Sequence, residues 1–390
     1  MKPTARRSAS ISPKEQVRVA VCIDSRDRSG RERLLGVYGY ALRRGWQLHL
    51  VRTEDASTLR YLRRIEADGA ILYDRQASLH RALKRRGIVC VEASDRHLPL
   101  DDAAVFVDNR EVAALAGLHF AGSGYAHLAY CGLKGKVPSV ARRDAFAAHA
   151  QAAGRLVLAF ADEWGEGEAE LRPLVDWLRR LPKPVGILTF DDKMAERVLA
   201  ACRWAELGVP EDIGVLGIGG DELLCELTLP RLSSITLALQ EIGRQAAMRL
   251  EALLQGNVPE ARRRIPVPPR EVVMRGSTER LGAVSAPVLH AVRFIRVMTH
   301  RSIGTNEVAA AAGVPRRTLE RYFERELRTT VHDFLVKERV ARARVLLKQS
   351  WAPMAKLAHG CGYSAVSAFV AMYRKHTGEH PETYRKRMRA

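Results

Sequence analysis

Pro353-Met-Ala-Lys-Leu-Ala-His-Gly-Cys-Gly-Tyr363-Ser364 runs into Ala365-Val-Ser-Ala-Phe-Val-Ala-Met-Tyr-Arg-Lys-His-Thr-Gly378, and then into His380-Pro381-Glu-Thr-Tyr384-Arg385. Met354, Leu357, Ala358 and Cys361 fall on one face of a short helical pattern. Phe369, Met372 and Tyr373 do the same for a second, and Ser364 stands where a residue would cap that helix. The two patterns meet at Gly362. A glycine turn between two short helices is the layout of a helix-turn-helix, whose second helix enters the DNA major groove. Many helical hairpins share that layout, so one copy settles little.

The layout occurs twice. About fifty residues upstream stands Thr305-Asn-Glu-Val308-Ala309-Ala-Ala-Ala312-Gly313-Val314-Pro315-Arg316-Arg317-Thr318-Leu319-Glu320-Arg321-Tyr322-Phe323. Val308, Ala309 and Ala312 form an apolar face, Gly313 turns, Pro315 suits a first helical turn, and Leu319 and Phe323 return to a core. Between the hairpins one long helical pattern runs from roughly Val331 to Gln349. It spans about 28 Å at 1.5 Å per residue, close to the roughly 34 Å turn of B-DNA. Such a helix can present two recognition helices to successive major grooves.

In these last hundred or so residues the chain resembles the AraC/XylS family of transcription regulators. The resemblance rests on the Gly-Tyr-Ser turn at 362–364, Phe369, Tyr373-Arg374-Lys375, Gly378, Pro381 and Tyr384. It implies that Arg317, Glu320 and Arg321 face base edges from the first recognition helix. Arginine can grip guanine with two hydrogen bonds, and glutamate can accept from the cytosine amine. Arg316 and Arg325 suit phosphates. The matching positions of the second helix hold Val366, Ser367, Val370 and Ala371, with an arginine common at the last in similar proteins. Small groups meet thymine methyls, so the first hairpin should discriminate more. Arg374 and Lys375 read as backbone clamps, and Ser364 joins the DNA-facing set.

Charge supports this placement. The net charge is +19, of which +12 lies in 286–390, with 20 Lys/Arg against 8 Asp/Glu. The first 18 residues add +4, and the long middle is close to neutral. Basic charge gathered at one end points to a polyanion bound there. Residues 1–16, rich in Arg, Ser and Pro, read as a disordered basic arm; a tail without a specific partner is the simpler account of it. The six cysteines show no Cys-x-x-Cys spacing and fit a reducing cytosol. No run of about 20 apolar residues is present for a membrane span, nor an apolar signal-peptide core after the arm.

From Val17 apolar strand runs alternate with amphipathic helices: 19–23, 47–51, 69–73, 88–92 and 105–108 as strands, then a second set through 128–131, 156–160, 185–190 and 213–218. This βαβ rhythm predicts parallel sheets covered on both faces, in two lobes with a cleft at the C-terminal strand ends. The element order resembles the effector domain of LacI/GalR regulators, the type I periplasmic-binding-protein fold. Leu232-Ser-Ser-Ile235, Glu241-Ile242-Gly243-Arg244-Gln-Ala246-Ala247, Gly256 and Val273-Met-Arg275-Gly276-Ser277-Thr278 carry the resemblance. Unlike that family, the chain has no helix-turn-helix ahead of Val17. A LacI-type sensor followed by an AraC-type reader resembles the xylose operon regulator family over nearly the whole length. The expected domains are 17–278 (two-lobed α/β sensor), 279–288 (linker) and 289–390 (all-α double helix-turn-helix).

Candidate ligand contacts are polar residues just past strand ends: Asp24, Asp74, Arg142, Asp191 and Asp221. Sugars are gripped by planar polar groups such as Arg and Asp and stack on aromatic faces. Arg142 matches the place of the sugar-binding arginine in similar domains; a solvated helix arginine is its plainer reading. Asp191 also suits the N-cap of the helix from Asp192. Where similar domains carry a sugar-gripping Asp after the strand ending at Ile218, this chain has Gly219-Gly220, with Asp221 next. That departure leaves open a shifted contact or a non-sugar effector.

Gly217-Ile-Gly219-Gly220 is not a full dinucleotide loop, and no nucleophile–base set or metal-ligand spacing stands out. An NAD-dependent enzyme and a secreted solute receptor both lack their signatures. The expected function is a cytoplasmic transcription regulator without cofactor, binding operator DNA and a small sugar such as xylose. The resemblance further implies a homodimer through the helix over residues 30–44.

Overall fold

The computed structural model describes residues 16–51, 60–62, 64–73, 77–94, 103–163, 168–257, 264–281 and 284–388. Residues 1–15 of the expected arm and Asp74 lie outside them.

The first lobe is a parallel sheet in the order β2-β1-β3-β4, made of β1 (Arg18–Cys22), β2 (Gln47–Leu50), β3 (Gly69–Leu72) and β4 (Val89–Glu92). Val19 sits between Leu48 and Gly69 in the register. All four residues of β3 are buried, which is why the run reads as continuously apolar rather than alternating. Helix α1 (Arg28–Arg44) starts where the Asp27 carboxylate accepts from the Gly30 amide, and stops at Gly45 in the left-handed region. Helix α2 (Ala77–Lys84) precedes β4. Strand β5 (Val105–Val107) joins β4 through the bridge Glu92–Ala104.

The second lobe holds α3 (Asn109–Gly122), β6 (His127–Leu133), α4 (Val137–Ala152), β7 (Val157–Asp162), α5 (Glu168–Arg180), β8 (Val185–Thr189), α6 (Asp192–Trp204), β9 (Ile213–Gly219), α7 (Glu222–Leu227) and β10 (Ser233–Thr236). Helix α8 (Leu239–Leu254) then returns to the first lobe. It lies so close to α1 that a Cβ on Gly36 would stand 1.9 Å from the Gln240 carbonyl oxygen, and one on Gly243 2.0 Å from that of Arg33. Strand β11 (Ile265–Val267) pairs with β5, and β12 (Val272–Val273) pairs antiparallel with β10. The second sheet therefore runs β12-β10-β9-β8-β6-β7. The chain passes between lobes after β5, after β10 and between β11 and β12, and these three segments form the hinge. The stretch from Ile265 to Val273 thus supplies two strands to different sheets. The helix bearing Arg142 starts at Val137, with Pro138 in its first turn.

The C-terminal part is helical: α9 (Ala286–Met298), α10 (Thr305–Ala311), α11 (Arg316–Leu327), α12 (Val331–Gln349), α13 (Met354–Gly360), α14 (Val366–Thr377) and α15 (Pro381–Arg387). Helix α9 begins inside the stretch expected as linker. Helix α12 feeds two separate cores. Val331, Phe334 and Leu335 pack with Val308, Leu319 and Phe323; Val340, Ala343 and Leu347 pack with Leu357, Phe369 and Tyr373. Phe369 is fully buried, so its truncation to alanine would cost about 3–5 kcal/mol and unmake the second hairpin.

Sensor and reader meet through charge. Lys348 Nζ lies 2.7 Å from Glu222, Arg231 3.6 Å from Glu338, Lys337 3.5 Å from Glu279, and Arg293 3.7 Å from Glu211. Beside these pairs the two parts enclose a cavity of about 580 Å³.

Candidate ligand cleft and nucleic-acid interface

Between the lobes, at the C-terminal strand ends, lies a cavity of about 290 Å³. Arg142 is 7% exposed there. Its Nε donates to Asn109 Oδ1 at 3.0 Å, its Nη1 donates to the Phe190 carbonyl, and its guanidinium carbon stands 5.2 Å from the Phe190 ring centroid. Burial in the second lobe, not a solvated helix face, is where this arginine sits. Asp191 lines the cavity while its side chain caps α6, accepting from the Met194 amide at 2.8 Å. The expected N-cap is seen, and the residue that makes it borders the cavity. Burial pushes its carboxyl up, opposed by the Met194 N–H and by Arg142.

Asp221 also lines the cavity and caps α7 through the Leu224 amide at 3.4 Å. Its own amide donates to Asp192 Oδ2 at 2.7 Å, and Ser234 Oγ donates to Asp192 Oδ1 at 2.5 Å. Burial lifts the Asp192 carboxyl to about 6, with the Ser234 hydroxyl and Asp221 amide pulling it down. The glycine pair has a local cause. Gly219 (φ 138°) and Gly220 (φ 69°) both have positive φ, and a Cβ on Gly219 would come within 2.9 Å of Asp192 Oδ2. Asp192 occupies that space, and Asp221 is carried to the rim instead.

Asp24 goes elsewhere. Its carboxylate is held by Arg26, Nη2 to Oδ2 at 2.6 Å, and it does not line the cavity. The first lobe contributes Asp27, Arg28, Ser29, Arg33 and Tyr73. The Tyr73 hydroxyl donates to Ser29 Oγ at 3.2 Å, and the Arg33 guanidinium lies 4.1 Å from the Tyr73 centroid. Arg28 Nη1 donates to the Gly219 carbonyl at 2.7 Å and ties the lobes directly. The sequence reading missed Asp27, Arg28 and Ser29. The signal available was the helix start itself, since residues at a helix N-terminus after a strand face the cleft in such sheets.

On the reader, Arg316, Arg317, Arg321 and Arg325 are exposed on α11. Arg316 pairs with Glu320 one turn on at 2.8 Å. Arg325 pairs with Glu326 and lies 4.9 Å from the Tyr322 centroid; Arg321 lies 5.8 Å from the same ring. On α14 the side chains of Val366, Ser367, Ala371, Arg374 and Lys375 are exposed, as is Ser364. Ser364 does not cap the helix, however. The N-cap is Ala365 with no side-chain bond, because the chain stays extended one residue past Ser364. Arg339, 7% exposed in mid-α12, donates from Nη2 to the Arg301 and Ile303 carbonyls at 3.0 Å and covers the Tyr363 ring at 5.0 Å. It braces the loop before the first hairpin against the turn of the second.

Among the described residues no helix is long and apolar enough to cross a membrane. A two-lobed cleft joined to paired helix-turn-helix units defines a DNA-binding regulator that responds to a small molecule. Comparison with known proteins agrees. A periplasmic binding protein-like domain matches residues 118–278 and a helix-turn-helix domain residues 308–387. The xylose operon regulatory protein of Haemophilus influenzae is 30% identical over 290 residues, covering 72% of this chain and 74% of that one. That of Escherichia coli K12 is 32% identical over 212 residues, 54% of each chain. The structure of the xylose-binding transcription activator xylR superposes with a TM-score of 0.79 at 25% identity, over 96% of this chain and 98% of that one. A LacI family regulator from Arthrobacter, in complex with lactose, matches 68% of this chain and all of that one, with a TM-score of 0.55 at 27% identity. The chain belongs to the xylose operon regulatory protein family; its relatives are regulators of transcription, not enzymes.

Proposed function

We propose that this regulator binds xylose or a closely related monosaccharide in the interlobe cleft and changes its hold on operator DNA in response. The sensor comprises 17–278, and the reader expected over 289–390 begins with α9 at Ala286. Arg142, Asp191 and Asp221 would take the sugar hydroxyls, with Phe190 and Tyr73 supplying ring faces. One observation carries the reading: Arg142 is buried in a cavity of monosaccharide size, stacked near Phe190, between two lobes that carry acids and bases on both rims. The names of the relatives favour xylose. A sugar touching both lobes prefers the closed cleft and so shifts lobe orientation.

The protein works, on this reading, as a cytoplasmic homodimer. Leu35, Tyr38 and Leu42, one stripe of α1, are 53%, 54% and 67% exposed, which favours that helix as the dimer face. The six cysteines are free and buried, in keeping with a reducing compartment.

Calorimetric titration of the intact protein with D-xylose, L-arabinose, D-ribose and D-glucose tests the ligand. Binding of one pentose by the wild type, lost in Arg142→Ala with ligand-free DNA affinity held within about threefold, is the expected result. A wild type that binds none of the four sugars would point to a non-sugar effector. A full response from Arg142→Ala would remove that residue as the anchor.

A further inference from the structure

The cavity of about 580 Å³ between sensor and reader has twice the volume of the interlobe cleft, at about 290 Å³. The end of α6 and the turns at Leu229–Arg231 and Met274–Gly276 form its sensor wall; α9 and α12 form its reader wall. Apolar side chains of both parts converge there and stay open: Leu229, Met274 and Val297 are 51%, 57% and 50% exposed. A seam that served only to join two domains would cover them. Apolar surface left open in a concavity is the usual mark of a small-molecule site.

The polar part of the wall is cationic and incompletely paired. Arg203, Arg231, Arg275, Arg293, Arg296 and Lys337 line the cavity, against Glu206, Glu279 and Glu338. Glu211 and Glu226 oppose them from behind the wall, 3.7 Å from Arg293 and 2.7 Å from Arg275, which leaves six cations to five carboxylates. Several pairs do not close. Arg231–Glu338 stands at 3.6 Å, Arg293–Glu211 at 3.7 Å, Arg296–Glu338 at 3.8 Å and Lys337–Glu279 at 3.5 Å. All exceed the roughly 2.7–3.2 Å of an N–H···O hydrogen bond. Arg203 is exposed and, among the described residues, has no carboxylate partner; its Nη1 donates to the Leu229 carbonyl at 3.0 Å. Most of its N–H donors are therefore left for a ligand.

We propose that this cavity is a second small-molecule site, distinct from the interlobe cleft, and that it takes an aromatic monocarboxylate. Arg203 grips the carboxylate with its fork of donors, and the ring lies among Leu229, Met274 and Val297. The single surplus cation sets the charge, since a monoanion balances the wall and a dianion overshoots it. An aromatic body fits better than an aliphatic one because guanidinium planes and the Met274 thioether both favour ring contacts. Among the described residues no aromatic side chain lines the cavity to take that place itself. Such a ligand would bind whatever the interlobe cleft holds.

Calorimetric titration of the full-length protein with 2-naphthoate tests the site, with 2-naphthamide as the uncharged counterpart and octanoate as the aliphatic one. Saturable binding of 2-naphthoate is expected, with each counterpart at least about tenfold weaker, the weight of one hydrogen bond to a charged group. Arg203→Met keeps an apolar stem and removes the charge. It should weaken 2-naphthoate about tenfold and leave 2-naphthamide within about twofold, a split that a folding defect would not give. Val297→Asp puts a carboxylate among the apolar side chains and should weaken both compounds. Hydrogen exchange fixes the location: 2-naphthoate should slow exchange across 199–209 and 293–297 and leave 189–194, at the interlobe cleft, unchanged. No binding of 2-naphthoate by the wild type at about 1 mM would overturn the site. So would slowed exchange at 189–194 alone, or wild-type affinity in either variant. Octanoate binding as tightly as 2-naphthoate would overturn the aromatic class.

Discussion

In the first hairpin Gly313 turns the chain at φ 69° with no heavy atom within 4 Å of where a Cβ would stand. In the second, Gly362 turns it at φ 76° with the Arg301 carbonyl oxygen 2.3 Å and Arg339 Nη2 3.0 Å from that point. The surfaces differ in the opposite sense. Helix α11 presents Arg316, Arg317, Arg321 and Arg325, whereas the leading turns of α14 present Val366, Ser367 and Ala371. The first unit is chemically outspoken on an open turn; the second is chemically plain on a turn wedged against its neighbour. Two copies of one motif differ both in the side chains they expose and in how tightly their turns are packed.

The widest separation should come at the turns. Gly362→Ala adds the roughly 1–2 kcal/mol of a left-handed residue with a side chain to the roughly 1–3 of forcing packed atoms apart. Gly313→Ala carries only the first cost. Denaturant titration of both variants should show the second turn losing about 2–5 kcal/mol and the first about 1–2; equal losses would erase the contrast. At the DNA surface, Arg321→Ala should cost about 1–3 kcal/mol at a single base position and relax preference there. Ser367→Ala should not, and an equal loss of specificity from the two, in a competition assay over single-base variants, contradicts the division of labour.

Ala371→Arg sharpens it. One more cation on the plain helix should raise affinity for all duplexes alike and steepen the log K against log salt slope by about 0.9. The smallest effect is expected at Ser364. A helix-capping serine is worth about 0.5–2 kcal/mol, but the hydroxyl here sits one residue early, so Ser364→Ala should leave stability within about 0.5 kcal/mol. A larger drop in the unfolding midpoint would show the hydroxyl acting as a cap after all.

What the residues foretold depends on how local each cause is. The bounds of α12, Val331 and Gln349, follow from periodicity and a Thr330 cap, both readable along the chain. So do the buried strands and the outward set on α14. Asp24 was misplaced because its partner, Arg26, is a neighbour whose side-chain direction no pattern encodes. Arg28 and Ser29 reach the cavity only because the hinge folds one lobe over the other. Glu222 and Lys348 are separated by 126 positions and meet through the packing of two domains. A single sequence holds no trace of that meeting, while Arg142, expected from the resemblance to similar domains, does line the cavity.

The brace formed by Arg339 has a consequence for the genome as well as for the protein. With one buried guanidinium bonded to the loop before the first hairpin and laid over Tyr363 of the second, the two recognition helices keep a fixed phase. Inserting one base pair between the two sites they read rotates one against the other by about a tenth of a helical turn and shifts it by about 3.4 Å. The protein cannot follow. Its binding sites should therefore drift in letters far more readily than in length, tolerating substitutions at the second half-site while deletions and insertions between the halves are purged.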